Sequence, residues 1–131
     1  MTRTLTLVLC MAVVTWLTLL AASMLRAKAW TLPGLKLAFG NRGDLPEPTP
    51  LAGRAERTAR NTQENFLLFA AIALVAHATE AESSQVALGA ELFFWSRVLY
   101  IPVYYAGITY VRTAIWFVSI VGLAIMLTAI V

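Results

Sequence analysis

Hydrophobic and polar positions divide the chain into long apolar runs that are separated by polar stretches. Residues 5–25 contain no charged side chain, and Arg3 and Arg26 flank them. Residues 113–131 are also uncharged. Because a helix of about 20 apolar residues spans the hydrocarbon core of a bilayer, each run predicts a membrane-crossing helix.

The first run also has features of a secretory signal peptide, since a basic start and an apolar stretch precede Ala27-Lys28-Ala29. The apolar part of a signal peptide covers only about 7–15 residues, and this run is longer. Arg26 and Lys28 behind it are typical of a stop-transfer flank. The pattern therefore predicts a first helix that is retained in the mature protein.

The middle of the chain predicts two helices of mixed character. Residues 54–64 are polar, whereas the apolar stretch 66–78 is too short to cross a bilayer alone. The polar half must then enter the membrane region packed against other helices rather than lipid. The next helix carries Arg97 inside it, and Pro102 removes a backbone donor and predicts a bend.

These patterns predict an all-α fold, an integral membrane four-helix bundle that forms a single domain over residues 1–131. The helices are expected at about residues 4–26, 52–79, 86–106 and 111–131. The dense Pro and Gly positions between the first two helices predict a loop at about residues 27–51.

Basic residues orient these helices. Seven Lys and Arg lie between residues 26 and 60, namely Arg26, Lys28, Lys36, Arg42, Arg54, Arg57 and Arg60. The positive-inside rule places the 27–51 loop in the cytoplasm and both termini on the opposite side. The orientation signal thus accounts for the net charge of +3, and no nucleic-acid partner is expected. Only 13% of the residues are charged, against about 25% in soluble domains, so the lipid bilayer is the expected partner.

Polar residues at membrane depth are the candidate site. Arg57, Asn61 and Glu64 share one helical face by their i+4 and i+3 spacing. A second polar and aromatic face has the same spacing on the third predicted helix, and Arg112 begins the fourth. The second face consists of Arg97, Tyr100 and Tyr104. Convergence of these groups would form a positive cavity for a small ligand with carboxylates, because Arg binds carboxylates bidentately.

Simpler interpretations exist for each group taken alone. The basic residues from Arg54 to Arg60 are typical of a solvated, positive-inside helix start. Glu64 could neutralise Arg60 or Arg97 as a structural pair. Tyr100 and Tyr104 could be aromatic residues of the membrane interface. The coincidence of these groups in one membrane half favours a site.

Three motifs carry a resemblance to a known family. They are Arg60-Asn61-Thr62-Gln63-Glu64 at the centre of the 50–66 segment, Phe94-Trp95-Ser96-Arg97-Val98-Leu99-Tyr100 with Pro102 and Tyr104 behind it, and the short connection before Arg112-Thr113. Over nearly its whole length the chain resembles the MAPEG family, the membrane-associated proteins in eicosanoid and glutathione metabolism. Within that family it is most similar to the bacterial type.

The resemblance implies a homotrimer that binds glutathione between neighbouring protomers near the cytoplasmic side. Its glutathione-binding positions would be Arg26, Arg57, Arg60, Asn61, Glu64, Arg97, Tyr100 and Tyr104, with Arg26 the weakest match. Arg112 corresponds to the arginine near the glutathione thiol and is the predicted catalytic residue. No metal site is expected. The chain departs from some active members at Tyr100, where they carry His, and at Trp116, where they carry Tyr.

Two functions remain open at this point. The first is a glutathione-dependent transferase or peroxidase that acts on lipophilic electrophiles or hydroperoxides, with glutathione as co-substrate. The second is a non-catalytic binding or structural membrane subunit that retains the fold. A transporter is disfavoured, because the chain lacks the paired broken helices that transporters use. The expected location is a bacterial inner membrane.

Overall fold

The computed structural model describes residues 1–131 and contains five α-helices and no strands. The helices are α1 (Arg3–Ala27), α2 (Leu32–Phe39), α3 (Pro50–Ala78), α4 (Ser84–Tyr105) and α5 (Thr109–Ile130). Three of them, α1, α4 and α5, are long and apolar enough to cross a membrane. The chain is therefore a helical membrane protein, and α3 is a further long helix with a polar first half.

Short polar side chains begin most of these helices. The hydroxyl groups of Thr2, Thr49 and Ser83 accept hydrogen bonds from the third amide of α1, α3 and α4 respectively. Such caps satisfy amides that have no partner within the helix. Each long helix except α5 thus starts at a side-chain cap that is readable in the sequence.

The segment 27–51, expected to be a loop, differs from that prediction because it contains α2. Thr31 caps this helix by accepting a hydrogen bond from the Gly34 amide at 3.0 Å. Pro33 lies in the first turn, where its missing N–H costs nothing. A Pro-Gly pair, which is typical of a turn, is thus compatible with a helix start. The parts of this segment outside a helix are residues 28–31 and 40–49.

The main apolar core lies at one end of the molecule. It joins the first half of α1, the second half of α3, the first half of α4 and the second half of α5, through Leu7, Met11, Phe69, Ala73, Ala76, Val86, Ala90, Phe93, Phe94, Leu123 and Met126. Phe69 and Phe93 stack with ring centroids 4.4 Å apart. We call these eleven residues the apolar core.

Helices α4 and α5 approach each other closely at two glycines. A Cβ atom on Gly122 would lie 2.7 Å from the Gly89 carbonyl oxygen, and one on Gly89 would lie 2.6 Å from the Gly122 carbonyl oxygen. Small residues allow this contact between backbones, as is usual where membrane helices cross. Helices α4 and α5 are therefore closely packed, and α3 and α1 pack against this pair.

The polar half of α3 buries its small residues and leaves its long charged ones outside. Ala55 and Ala59 pack with Ala22 of α1 in a second, smaller cluster, and Thr58 is fully buried. Arg57 and Arg60 of the same half are exposed within the chain. This division of faces sets α3 close to α1 and directs its charged face along the outside of the helix pair.

Candidate functional site

A polar groove of about 290 Å³ lies where the first half of α3 meets the end of α4 and the start of α5. Its lining consists of Arg57, Arg60, Asn61, Glu64, Tyr100, Tyr104 and Arg112. We call it the arginine groove. Seven of the nine residues that the sequence predicted for the site thus meet in one place, although they come from three helices.

Helical spacing and one turn explain how these residues meet. On α3, Arg57, Asn61 and Glu64 follow at intervals of one turn, and Tyr100 and Tyr104 do the same on α4. The connection from α4 to α5 is short because Gly107 adopts a φ of 77°, a conformation that glycine reaches without strain. Arg112, in the first turn of α5, is thereby brought next to Tyr104.

Arg97 lies beneath the groove rather than in its lining, and 0% of its surface is exposed. Its Nη2 donates a hydrogen bond of 2.7 Å to Oδ1 of Asn61. Its guanidinium carbon lies 4.1 Å from the centre of the Tyr100 ring, within the range of a cation–π contact. Nε and Nη1 of Arg97 have no hydrogen-bond partner, so this buried cation is only partly satisfied by the chain.

Asn61 connects Arg97 to the groove. Besides the bond from Arg97, its backbone carbonyl accepts a hydrogen bond of 2.8 Å from Nδ2 of Asn65. The bond from Arg97 holds the side-chain oxygen of Asn61 toward α4, while Asn61 itself lines the groove. The Arg97–Asn61 bond is thus a short polar link between α3 and α4.

Tyr104 is contacted by two arginines from different helices. Nε of Arg57 donates a hydrogen bond of 3.2 Å to the Tyr104 hydroxyl oxygen. The guanidinium carbon of Arg112 lies 4.4 Å from the centre of the Tyr104 ring. Tyr100 and Tyr104 meet edge to face at 5.5 Å. The aromatic pair therefore fixes the spacing between the arginines of α3 and α5.

A second cavity of about 190 Å³ adjoins the arginine groove. Asn61, Tyr100 and Arg112 line both spaces, and the second one adds Thr113 and Trp116. The lining changes here from charged to mixed polar and aromatic. Arg112 lies at the boundary of the two cavities, where one molecule in each could meet.

Arg26 does not reach the arginine groove of its own chain. Its Nε lies 3.1 Å from Oε1 of Glu56, and its Nη1 donates to the Pro46 carbonyl oxygen. These contacts hold the end of α1 to the start of α3. Glu64 belongs to neither ion pair of the chain, which are Arg26–Glu56 and Arg3–Glu91, so a structural pair with Arg60 or Arg97 is not formed.

Three further residues lie near the site, although the sequence analysis did not assign them to it. Thr62 is fully buried, with Oγ1 3.5 Å from Nη2 of Arg97, and Asn65 supports Asn61 from the next turn. Thr113 lines the second cavity. The i+4 relation between Asn61 and Asn65 was readable in the sequence. Thr62 and Thr113 lie within the quoted motifs, but those motifs did not show which groups the two threonines contact.

The lining of the arginine groove carries three arginines and one glutamate. Such a groove attracts an anion, and guanidinium groups recognise carboxylates with two parallel hydrogen bonds. Glu64 adds an acceptor for an ammonium group. A small zwitterion with an excess of carboxylates would match this arrangement of charge.

Comparison with known proteins identifies the family of the chain. A family model described as MAPEG family matches residues 4–131. The chain belongs to the MAPEG family. MAPEG proteins include glutathione-dependent transferases and peroxidases as well as non-catalytic members. No curated protein and no solved structure matches the chain significantly.

Proposed function

We propose that this MAPEG protein is a glutathione-dependent membrane enzyme of the transferase or peroxidase type. Its second substrate would be a lipophilic electrophile or a hydroperoxide. The observation that carries the proposal is the meeting of Arg57, Arg60, Glu64 and Arg112 around one groove, next to a cavity that contains Trp116.

The arginine groove suits glutathione by charge. The tripeptide carries two carboxylates and one ammonium group at neutral pH, and the groove offers three arginines and one glutamate. Arg57 and Arg60 would bind the carboxylates, and Glu64 would accept from the ammonium group. The volumes of the two adjoining cavities, about 290 and 190 Å³, together fall within the usual range for ligand sites, about 300–1,000 Å³.

Arg112 is the proposed catalytic residue. Glutathione supplies a thiol, and a free cysteine thiol has a pKa of about 8.5 that a neighbouring cation lowers. Arg112 lies at the boundary between the two cavities and is held over the Tyr104 ring. Its fixed positive charge would favour the ionised thiol at the point where the lipophilic substrate enters.

Arg97 would act from below as a positioning residue. It is fully buried and bonded to Asn61, and it contacts the ring of Tyr100. Both neighbours line the arginine groove. Arg97 would therefore fix the amide of Asn61 and the hydroxyl of Tyr100 toward the ligand, while its charge adds to the attraction for carboxylates.

The proposed assembly is a homotrimer of four-helix protomers, with α1, α3, α4 and α5 crossing the bilayer. Arg57, Arg60 and Glu64 lie on the outside of the single chain, and charged groups at membrane depth are shielded when they face another protein surface. A neighbouring copy would cover the groove and could bring its own Arg26 toward it. The groove end would face the cytoplasm, in a bacterial inner membrane.

A non-catalytic binding subunit is the second candidate function. Trp116 lines the second cavity at a position where some active MAPEG members carry Tyr, and Tyr100 stands where some carry His. An indole offers only one N–H donor and no hydroxyl group. A chain that binds glutathione without activating its thiol would match these two residues.

The decisive experiment measures binding and turnover with the purified protein in lipid nanodiscs. Glutathione binding is followed by calorimetry, and products with an aromatic halide and an organic hydroperoxide are identified by mass spectrometry. We expect the wild type to bind and turn over, Glu64→Ala to lose binding, and Arg112→Ala to keep binding but lose most of its turnover. Arg3→Gln is the matched control, because it removes an arginine outside the groove.

The outcomes separate the two candidates. Binding by the wild type without any product would favour the non-catalytic subunit. The absence of glutathione binding by the wild type would contradict both candidates for this groove.

A further inference from the structure

Helix α2 has two unlike faces. Gly34 is buried on one of them, and it packs so closely on the carbonyl groups of Ala27 and Lys28 at the end of α1 that a side chain there would collide with them. On the opposite face lie Leu32, Leu35 and Phe39. Their i+3 and i+7 spacing makes them one continuous apolar strip.

This strip is exposed in the chain. Leu32 is 78% exposed and Phe39 is 85% exposed, and α1 is the only helix that α2 packs against. Trp30, in the turn before α2, is 64% exposed. Four large apolar side chains within ten residues are thus left uncovered, three of them on an eight-residue helix whose inner face is already covered and one in the turn before it.

The charge around this strip is uniformly positive. Lys28, Lys36 and Arg42 are exposed, and no Asp or Glu lies between residues 28 and 42. None of these three belongs to an ion pair. Nη1 of Arg42 donates a hydrogen bond of 2.6 Å to Oγ of Ser23, which keeps the positive end of the segment close to α1.

The position of α2 along the chain fixes its depth. It begins at Leu32, five residues after the end of α1 at Ala27, and α1 is long and apolar enough to span a bilayer. An element so close to the end of a membrane span lies at the level of the headgroups. Apolar side chains beside basic ones are the composition of helices that lie in this interface.

We propose that α2 is an interfacial helix that docks on anionic phospholipid. Leu32, Leu35 and Phe39 enter the boundary between headgroups and acyl chains. Lys28, Lys36 and Arg42 bind lipid phosphates, with the lysine stems extending along the apolar surface. The inference concerns a surface outside the arginine groove and does not depend on glutathione.

A fluorescent probe on the apolar strip tests the docking. Cys10→Ser combined with Phe39→Cys gives one labelling position for an environment-sensitive dye, and Asp44→Cys in the same background is the control on the polar loop. The labelled protein is reconstituted into phosphatidylcholine bilayers with and without an equal share of phosphatidylglycerol. Spin labels on the lipid headgroup or the mid-acyl chain then report depth.

We expect the dye at position 39 to be blue-shifted and quenched by the shallow spin label, whereas the dye at position 44 stays in water. Equal, water-like emission at the two positions overturns the proposal. A shielded dye that no lipid spin label quenches overturns it too, because the strip would then be covered by protein.

The charge component is tested separately by lipid enrichment. Energy transfer from the dye to labelled phosphatidylglycerol, relative to labelled phosphatidylcholine, measures how strongly α2 selects anionic lipid. The variant K28Q/K36Q/R42Q should lose most of this enrichment, since each basic residue near an anionic surface contributes a factor of about five. K28R/K36R keeps the charge and should keep the enrichment. Unchanged enrichment in the neutral variant overturns the lipid-phosphate contacts.

Discussion

The two ends of the helical structure differ in what their packed residues are. The apolar core joins four helices through close contacts such as the Phe69–Phe93 stack and contains no charged residue. The opposite end holds the arginine groove, a cluster of three small alanines, and the fully buried Arg97 with two nitrogens lacking partners. A charged side chain at membrane depth costs about 2.5–3.5 kcal/mol. The comparison indicates that the apolar end stabilises the fold, and that the polar end keeps groups that stability alone would not select.

The largest expected effect is at the apolar core. Phe69→Ala removes a fully buried ring and should lower the free energy of unfolding by about 3–5 kcal/mol. Thermal unfolding in detergent, followed by circular dichroism, measures this. Leu67→Ala is the control on the same helix, since Leu67 is 70% exposed and its loss should change little. Equal losses for the two variants would contradict the assignment of stability to the core.

The second-largest loss of stability is expected where α4 and α5 contact each other at Gly89 and Gly122. In Gly122→Ala the new methyl group lies 2.8 Å from the Phe93 amide nitrogen, so the helices must move apart. Overpacking of this kind costs about 1–3 kcal/mol, again measured by thermal unfolding. Gly53→Ala on α3 is the control, because its methyl group would meet only the flexible end of Arg57 at 3.4 Å.

Arg97→Met tests the polar end, where stability should be kept while glutathione binding weakens. The substitution replaces a partly satisfied buried cation by an apolar side chain of similar length, a change that is often neutral or stabilising. The melting temperature should therefore stay level or rise. Glutathione binding should weaken by about tenfold, which corresponds to about 1.4 kcal/mol, because Asn61 and Tyr100 lose their support. Calorimetry on the same samples measures the binding.

Arg97→Lys serves as the control that retains the charge. Unfolding of Arg97→Met at a temperature as low as that of Phe69→Ala would mean that the polar end also holds the fold together, and the contrast between the two ends would then fail.

The smallest effect is expected for the exposed ion pair beside the apolar core. Arg3 and Glu91 lie within 2.5 Å of each other, but the Arg3 side chain is mostly exposed, and such pairs contribute about 0–1 kcal/mol. Arg3→Gln should shift the unfolding midpoint only slightly and leave glutathione binding unchanged. A large shift in the midpoint would contradict the small contribution of this pair. A change in glutathione binding would show that the two ends are coupled.

Several parts of the site were predictable from the chain alone because they depend on local periodicity. Arg57, Asn61 and Glu64 recur at one helical turn, and so do Tyr100 and Tyr104, which predicts two shared faces in any helix. The meeting of these faces with Arg112 was only a hypothesis, because spacing along one helix does not determine which neighbour it faces. Thr31 caps the start of α2, but the dense Pro and Gly positions around it predict a loop.

The sequence by itself determined the long apolar helices, their approximate ends and the polar character of α3, because lipid requires every backbone group in a span to be bonded within its own helix. The tertiary structure decided what the polar residues do. It placed Arg97 beneath the arginine groove instead of in it, paired Arg26 with Glu56, and left Glu64 free of both predicted partners. These outcomes depend on how α3 rotates against α1 and α4. That rotation buries Ala55, Thr58 and Ala59 and leaves the charged side chains of Arg57 and Arg60 exposed.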